Sequence, residues 1–154
     1  MLIVFDLDFT LWDAGGTWCD HTIPPYRKEG SVVRDGVDRV IYLYPDVPEI
    51  LKVIQDAGLT MAVASRTHSP ETARRLMELM GISSFFSFEE IYPGSKLQHF
   101  ESLHRITSVP YNRMFFFDDE ERNVYETRQL GVNSFHVLSG LSWHEVRCIP
   151  EISD

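Results

Sequence analysis

The sequence predicts an α/β fold: a doubly wound, Rossmann-like, mostly parallel sheet with helices on both faces, plus a short β-hairpin flap after the first strand. Two observations carry the main fold. The apolar runs LIVF (2–5), LTMAVA (59–64), MFFF (114–117) and FHVL (135–138) are continuous rather than alternating, as in strands covered on both faces. Stretches with helical spacing lie between them, and strand–helix alternation is the mark of a parallel sheet. A third observation, Asp35-Gly36 between two β-prone runs, predicts the flap.

Taken in order, the first strand is 2–5. Residues 12–44 break the alternation: they contain GG, PP and EGSVVRDGVDRVIYLY, and the Val, Ile and Tyr content around Asp35-Gly36 reads as a two-residue hairpin. Asp46, with Glu49 three residues on, forms an acidic version of a capping box. Val47, Ile50, Leu51 and Ile54 then fall at i, i+3, i+4 and i+7, and Gly58 ends that helix. After the strand at 59–64, Ser69 and Pro70 open a second helix with Ala73, Leu76, Met77 and Met80 on one face, closed by Gly81. FFSFEEIY (85–92) is a weaker strand signal. A third helix is expected over 95–107, a fourth over 121–130 ending at Gly131, and a short fifth opening at Ser142 with Glu145 in capping-box spacing. The crossovers should be right-handed.

A chain of 154 residues, 44% hydrophobic, suits one domain over 1–154 with one substantial core. The net charge of -9 argues against a nucleic-acid backbone or an anionic membrane as main partner. Cys19 and Cys148 stand far apart with no CxxC, giving neither a disulfide framework nor a zinc signature. Reduced thiols, no basic stretch ahead of the first apolar run, and no long apolar segment together imply a cytoplasmic protein without a signal peptide or membrane span.

The polar residues gather where the strands end. LIVF runs into Asp6 and Asp8, LTMAVA into Ser65, and MFFF into Asp118 and Asp119. Ligands of open parallel sheets bind outside the carboxyl ends of the strands, near the switch point, so three strands deliver polar groups to one edge. Adjacent buried carboxylates are costly. They are solvated, or one stays protonated, or a cation lies between them. Convergence from three strands favours the cation, and an all-oxygen donor set favours magnesium over zinc. A solvated acidic rim is the plainer reading.

DLDFT, then Ser65, then Lys96, then the DD pair at 118–119 resembles the four ordered motifs of the haloacid dehalogenase superfamily. VFDLDFTLW, LYPDVPEIL, VASRT, PGSK and FFFDDEERN look like its small, capless, magnesium-dependent phosphatase branch, and they span residues 4–123. The resemblance implies Asp6 as nucleophile and Asp8 as general acid, then base. It implies Ser65 and Lys96 on the phosphoryl group, with backbone N–H donors near Ser65 helping. Magnesium would be held by Asp6, Asp118 and Asp8 (the last through its backbone carbonyl), with Asp119 behind them. An Asp at the second position and Thr10 after it fit phosphate hydrolysis rather than dehalogenation.

Arg66 either contacts substrate or faces water. Trp12 and Trp18 either line the entrance or pack. The six histidines show no ligand spacing and read as packing or surface residues, with His68 nearest to Ser65. Neither gap between motifs has room for a cap domain, so the site should be open to a phosphorylated small molecule, such as a sugar phosphate, or to a phosphoprotein. A receiver-type domain that accepts a phosphoryl group without rapid turnover uses similar residues, but it places its acid pair before its acceptor.

Overall fold

The computed structural model describes residues 1–152. Along the chain come β1 (Leu2–Phe5), β2 (Trp12–Asp13), β3 (Arg27–Glu29), β4 (Val32–Arg34), β5 (Val40–Leu43), α1 (Val47–Asp56), β6 (Thr60–Ser65) and α2 (Pro70–Leu79). Then follow β7 (Phe88–Ile91), α3 (Lys96–Thr107), β8 (Met114–Asp118), α4 (Glu121–Leu130), β9 (Asn133–His136) and α5 (Trp143–Val146). Five strands form a parallel sheet in the order β7-β6-β1-β8-β9. The chain leaves β1 toward β6 and β7, then returns on the other side of β1 with β8 and β9. The switch point is therefore at β1. Phe5 pairs with both Val63 and Phe117, so Asp6, Ser65 and Asp118 lie at the carboxyl ends of three adjacent strands.

Both faces of β1 are buried, which explains its unbroken apolar run. Ile3 and Phe5 pack in a cluster with Val47, Ile50 and Leu51 of α1 and Leu76 of α2. Leu2 and Val4 pack on the opposite face with Phe100 and Leu103 of α3. Alternate side chains of a strand point to opposite faces, so each cluster takes every second residue. The β9 region departs from the expectation of 135–138: the strand is Asn133–His136, and Leu138 is 81% exposed. As an edge strand pairing with β8 alone, β9 does not need the double-sided burial that its apolar run suggests.

The flap is larger than a hairpin. Strands β2-β5-β4-β3 make a four-stranded antiparallel sheet. Trp12, Ala14, Cys19, Val33 and Ile41 of this segment are buried in the same cluster as Phe5. Asp35-Gly36 lies between β4 and β5 as expected, but not as a two-residue turn. Asp35 N donates to Arg39 O, Asp38 N donates to Asp35 O, and Asp38 takes a left-handed φ of 66°, the pattern of a three-residue loop. Gly36 is needed for space instead: a Cβ there would come within 2.5 Å of Pro24 O. The Asp35 carboxylate organises the loop by accepting from the backbone N–H groups of Ile23, Val37 and Arg39.

Helix starts differ in their chemistry. Ser142 and Glu145 form the expected capping box of α5. Asp46 does not cap α1: it has helical φ and ψ, Pro48 in the first turn has no N–H to offer, and the carboxylate accepts from Trp143 N at 3.2 Å. It thereby ties the start of α1 to the start of α5. At the other end of α3, Ser108 has φ 59° and ψ 10°, a conformation that suits glycine. Ser108→Gly should stabilise the fold by about 0.5–1 kcal/mol in urea denaturation.

Buried in α3, His99 approaches Tyr92 O through Nε2 at 3.0 Å and stacks on the Tyr92 ring at 4.4 Å. Burial, with help from the Lys96 charge, lowers its pKa to about 4; Glu90 on β7 pulls weakly the other way. The folded chain therefore resists a proton that the unfolded chain accepts near pH 6.5. This contribution to stability is complete above that pH and is lost as pH falls toward 4. His99→Gln should flatten the dependence between pH 6.5 and 4, a difference on the order of 2–3 kcal/mol by denaturation at a series of pH values.

Candidate active site

Asp6 comes one residue after β1 and still donates its N–H to Phe117 O at 3.0 Å, so the sheet fixes its backbone. Its Oδ1 accepts from Lys96 Nζ at 3.0 Å and its Oδ2 from Thr10 Oγ1 at 3.3 Å. Lys96 opens α3 and is fully buried. Its ammonium also lies 3.2 Å from Asp118 Oδ2 and donates to Ala64 O. Burial works against the Lys96 charge, but Asp6 and Asp118 outweigh it and hold its pKa above the ordinary value. Asp118 ends β8; its Oδ1 accepts from Glu120 N at 2.8 Å and its Oδ2 from Asn123 Nδ2 at 3.0 Å.

Asp6, Asp118 and Asp119 each present one oxygen, all within 4.8 Å of one another. Asp119, expected behind the inner acids or bound through water, brings one carboxylate oxygen into this group. Burial and the Asp118 charge push Asp6 well above the usual carboxylate range. Burial first, then the Asp118 and Glu120 charges, raises Asp119 to about 6 despite its hydrogen bond with Asp6. Lys96 contacts two of the three acids, Asp6 and Asp118, and all the donors are oxygens. Such a set fits a hard divalent cation of the magnesium type and offers nothing to select zinc.

Asp8 belongs to a different environment. Its Oδ1 accepts from Trp12 Nε1 at 2.7 Å and from Cys19 N at 2.9 Å, so the flap holds that oxygen, and Asp8 is not one of the three grouped acids. Burial raises its pKa, and the Trp12 and Cys19 bonds pull it partly back. The Asp20 charge adds only weakly to the rise. Trp12 is wholly buried and meets Asp8 through its indole N–H, while Trp18 is half exposed and lines the cleft.

A cleft of about 240 Å³ opens over this floor, lined by Asp6, Asp8, Ser65, Arg66, Lys96 and Asp119 among others, with His68 and Trp18 at its edge. Ser65 ends β6. Its hydroxyl accepts from Thr67 N at 3.3 Å, and Thr67 Oγ1 accepts from Ser69 N at 3.1 Å. Two of the N–H groups expected to face an anion are thus already engaged by side chains. Arg66 lines the cleft and donates to Asn123 Oδ1 at 3.0 Å. Asn123 therefore links Arg66 to Asp118. Its part was not read from the sequence; the available signal was a short polar residue inside a helix, a poor helix former unless its side chain has a partner.

Comparison with known proteins agrees with this geometry. The acid phosphatase family model matches residues 1–148. Human magnesium-dependent phosphatase 1 is 46% identical over 92% of this chain and 80% of that protein. A HAD-like hydrolase superfamily protein of Schizosaccharomyces pombe is 35% identical over 92% of each. Among solved structures, a magnesium-complexed phosphatase domain from Bacteroides fragilis superposes with a TM-score of 0.64 at 16% identity, covering 90% of this chain and 36% of that one. L-2-haloacid dehalogenase from Xanthobacter autotrophicus gives 0.65 at 12% identity over 93% of this chain and 79% of that one. At such identities the structures speak for the fold alone. With the family model spanning nearly the whole chain, the protein belongs to the acid phosphatase family of haloacid-dehalogenase-like, magnesium-dependent phosphatases.

Proposed function

We propose that this phosphatase hydrolyses phosphomonoesters in two steps, with the phosphoryl group carried on Asp6 between them. The observation that carries the reading is the separation of two carboxyls at one cleft. Asp6 is fixed by Lys96 and Thr10 inside the acidic group, and Asp8 is fixed apart from it by Trp12 and Cys19.

In the first step an oxygen of Asp6 attacks phosphorus. The bond to the leaving oxygen breaks, and that oxygen takes a proton from Asp8. Burial keeps Asp8 disposed to carry the proton. In the second step water attacks phosphorus, Asp8 takes back a proton, and phosphate leaves with Asp6 restored as a carboxylate. Splitting one hard displacement into two is the use of a carboxylate nucleophile. In this reading Lys96 aims Asp6 and favours its ionised form against burial and the Asp118 charge, and Ser65 and Arg66, which line the cleft, hold phosphoryl oxygens. Magnesium held by Asp6 and Asp118, with Asp119 beside them and the Asp8 carbonyl as a further donor, would supply positive charge to the phosphoryl oxygens.

The whole chain acts as one catalytic unit in this reading, with 12–44 as a flap and no separate cap. Only α2, a short turn and β7 lie between Ser65 and Lys96. The open cleft suits leaving groups of either phosphotyrosine or sugar phosphate type. A receiver-type acceptor uses a similar residue set, but a separate carboxyl such as Asp8 is what turnover needs, and the family match favours a hydrolase. The compartment is proposed to be the cytoplasm; no helix among the described residues is long and apolar enough to cross a membrane. Activity on p-nitrophenyl phosphate should vanish on thorough chelation with EDTA and return with magnesium. Full activity after chelation would refute the metal assignment.

A further inference from the structure

We infer that Trp12 is a positioning residue for the general acid: its buried indole N–H, with the Cys19 backbone N–H, pins Asp8 Oδ1 so that Oδ2 is the oxygen that delivers the proton. The inference rests on the reading of Asp8 as general acid and adds the device that aims it.

Both N–H donors fall on one oxygen, from Trp12 Nε1 at 2.7 Å and from Cys19 N at 2.9 Å. An oxygen that accepts two N–H bonds is already saturated as an acceptor and is the worse place for a proton. The proton therefore resides on Oδ2, and Asp8 lines the cleft. The indole cannot easily move. Trp12 is wholly buried, is paired through its backbone with Leu43 of β5, and forms an isolated bridge with Asp8 itself. Cys19 is equally fixed. Its side chain is buried, and its sulfur lies 3.6 Å from Thr67 Oγ1 in the turn that also carries Ser65. The flap is thus a clamp: one side holds the acid, and the other touches the turn beneath the phosphoryl site. The backbone supports the same geometry. Phe9, between Asp8 and Trp12, has a left-handed φ of 61°, and its N–H donates to Trp12 O at 2.8 Å. A bulky residue in that conformation is strained, and the turn that imposes it brings the indole back over the carboxyl four residues earlier.

An acid matters most when the leaving oxygen is basic, and least when it departs readily as an anion. Because kcat/KM ends at the first irreversible step, it reports leaving-group departure without the later hydrolysis. Trp12→Phe keeps an aromatic ring and removes the N–H. It should lower kcat/KM by about tenfold or more for an alkyl phosphate, and by no more than about threefold for p-nitrophenyl phosphate. An equal fall for both esters, or no fall for either, would overturn the inference, since a merely structural role would not depend on the leaving group. Asp8→Asn, measured alongside, should show the same dependence more steeply. If it shows none, the general-acid reading of Asp8 is what fails. A second measurement does not depend on the folding of Trp12→Phe. In proton–nitrogen correlation spectra, one of the three indole N–H signals should shift strongly in Asp8→Ala while those of Trp18 and Trp143 stay in place. Three unmoved signals would contradict the bond.

Discussion

Asp6→Asn should lower turnover of p-nitrophenyl phosphate by about 10⁴-fold or more while the protein remains folded. The amide keeps the size of the side chain and can still accept from Lys96 through its oxygen. It lacks the negative charge and the nucleophilic lone pair that attack phosphorus. The substitution also removes one of three crowded acids, so it relieves repulsion with Asp118 and Asp119. Stability without magnesium should therefore be kept or slightly raised. Lost activity with unimpaired folding is the signature of a nucleophile; lost activity through unfolding would be visible as a fall in the urea midpoint. Retained activity would remove Asp6 from the chemistry.

Lys96→Met should act on both activity and stability. Among the described residues, Lys96 is the cation that contacts Asp6 and Asp118, with side-chain exposures of 1%, 12% and 0% respectively. Methionine is apolar and of similar length, so the cavity is filled and the charge is gone. Two buried carboxylates are then left uncompensated, which costs about 3–5 kcal/mol when one partner of a buried pair is removed. In EDTA, urea denaturation should show a loss of that size. Added magnesium should recover more stability in this variant than in the unsubstituted chain, because anything that binds the folded acids alone stabilises by mass action. Activity should fall on the order of 10²–10³-fold even with magnesium, since a preorganised positive charge at the phosphoryl group is missing. Unchanged stability in EDTA would mean that the acids are protonated or solvated and the pairing has no energetic weight.

The sheet was legible because burial on two faces leaves a plain mark: LIVF and MFFF have no polar alternation, and both lie beside β1 or are β1 itself. Helices were legible where apolar spacing and a glycine stop coincided, as over α1, α2 and α4. The flap's true extent was not. Arg27–Glu29 forms β3 with every residue exposed, so its strand character comes from pairing with β4 rather than from composition. At the site, Asp6, Ser65, Lys96 and Asp118 could be named in advance because each stands at the end of a strand or the start of a helix, and their order matched a known pattern. The directions of hydrogen bonds could not. Trp12 read as lining the entrance or packing, yet its indole N–H meets one oxygen of Asp8, and Asn123, 57 positions from Arg66, joins that residue to Asp118. Such links depend on rotamers and on long-range register, which local patterns do not encode.

The most direct measurement is a rapid acid quench during turnover of a phosphomonoester, followed by proteolysis and mass spectrometry of the peptide that contains Asp6. With p-nitrophenyl phosphate, whose leaving group needs little help from an acid, the expected result is one added phosphoryl group on Asp6, accumulating further in Asp8→Asn, where the second step is slowed more than the first, and absent from Asp6→Asn. A phosphoryl group on another residue, or phosphate released with no labelled peptide in either the unsubstituted chain or Asp8→Asn, would contradict the covalent route.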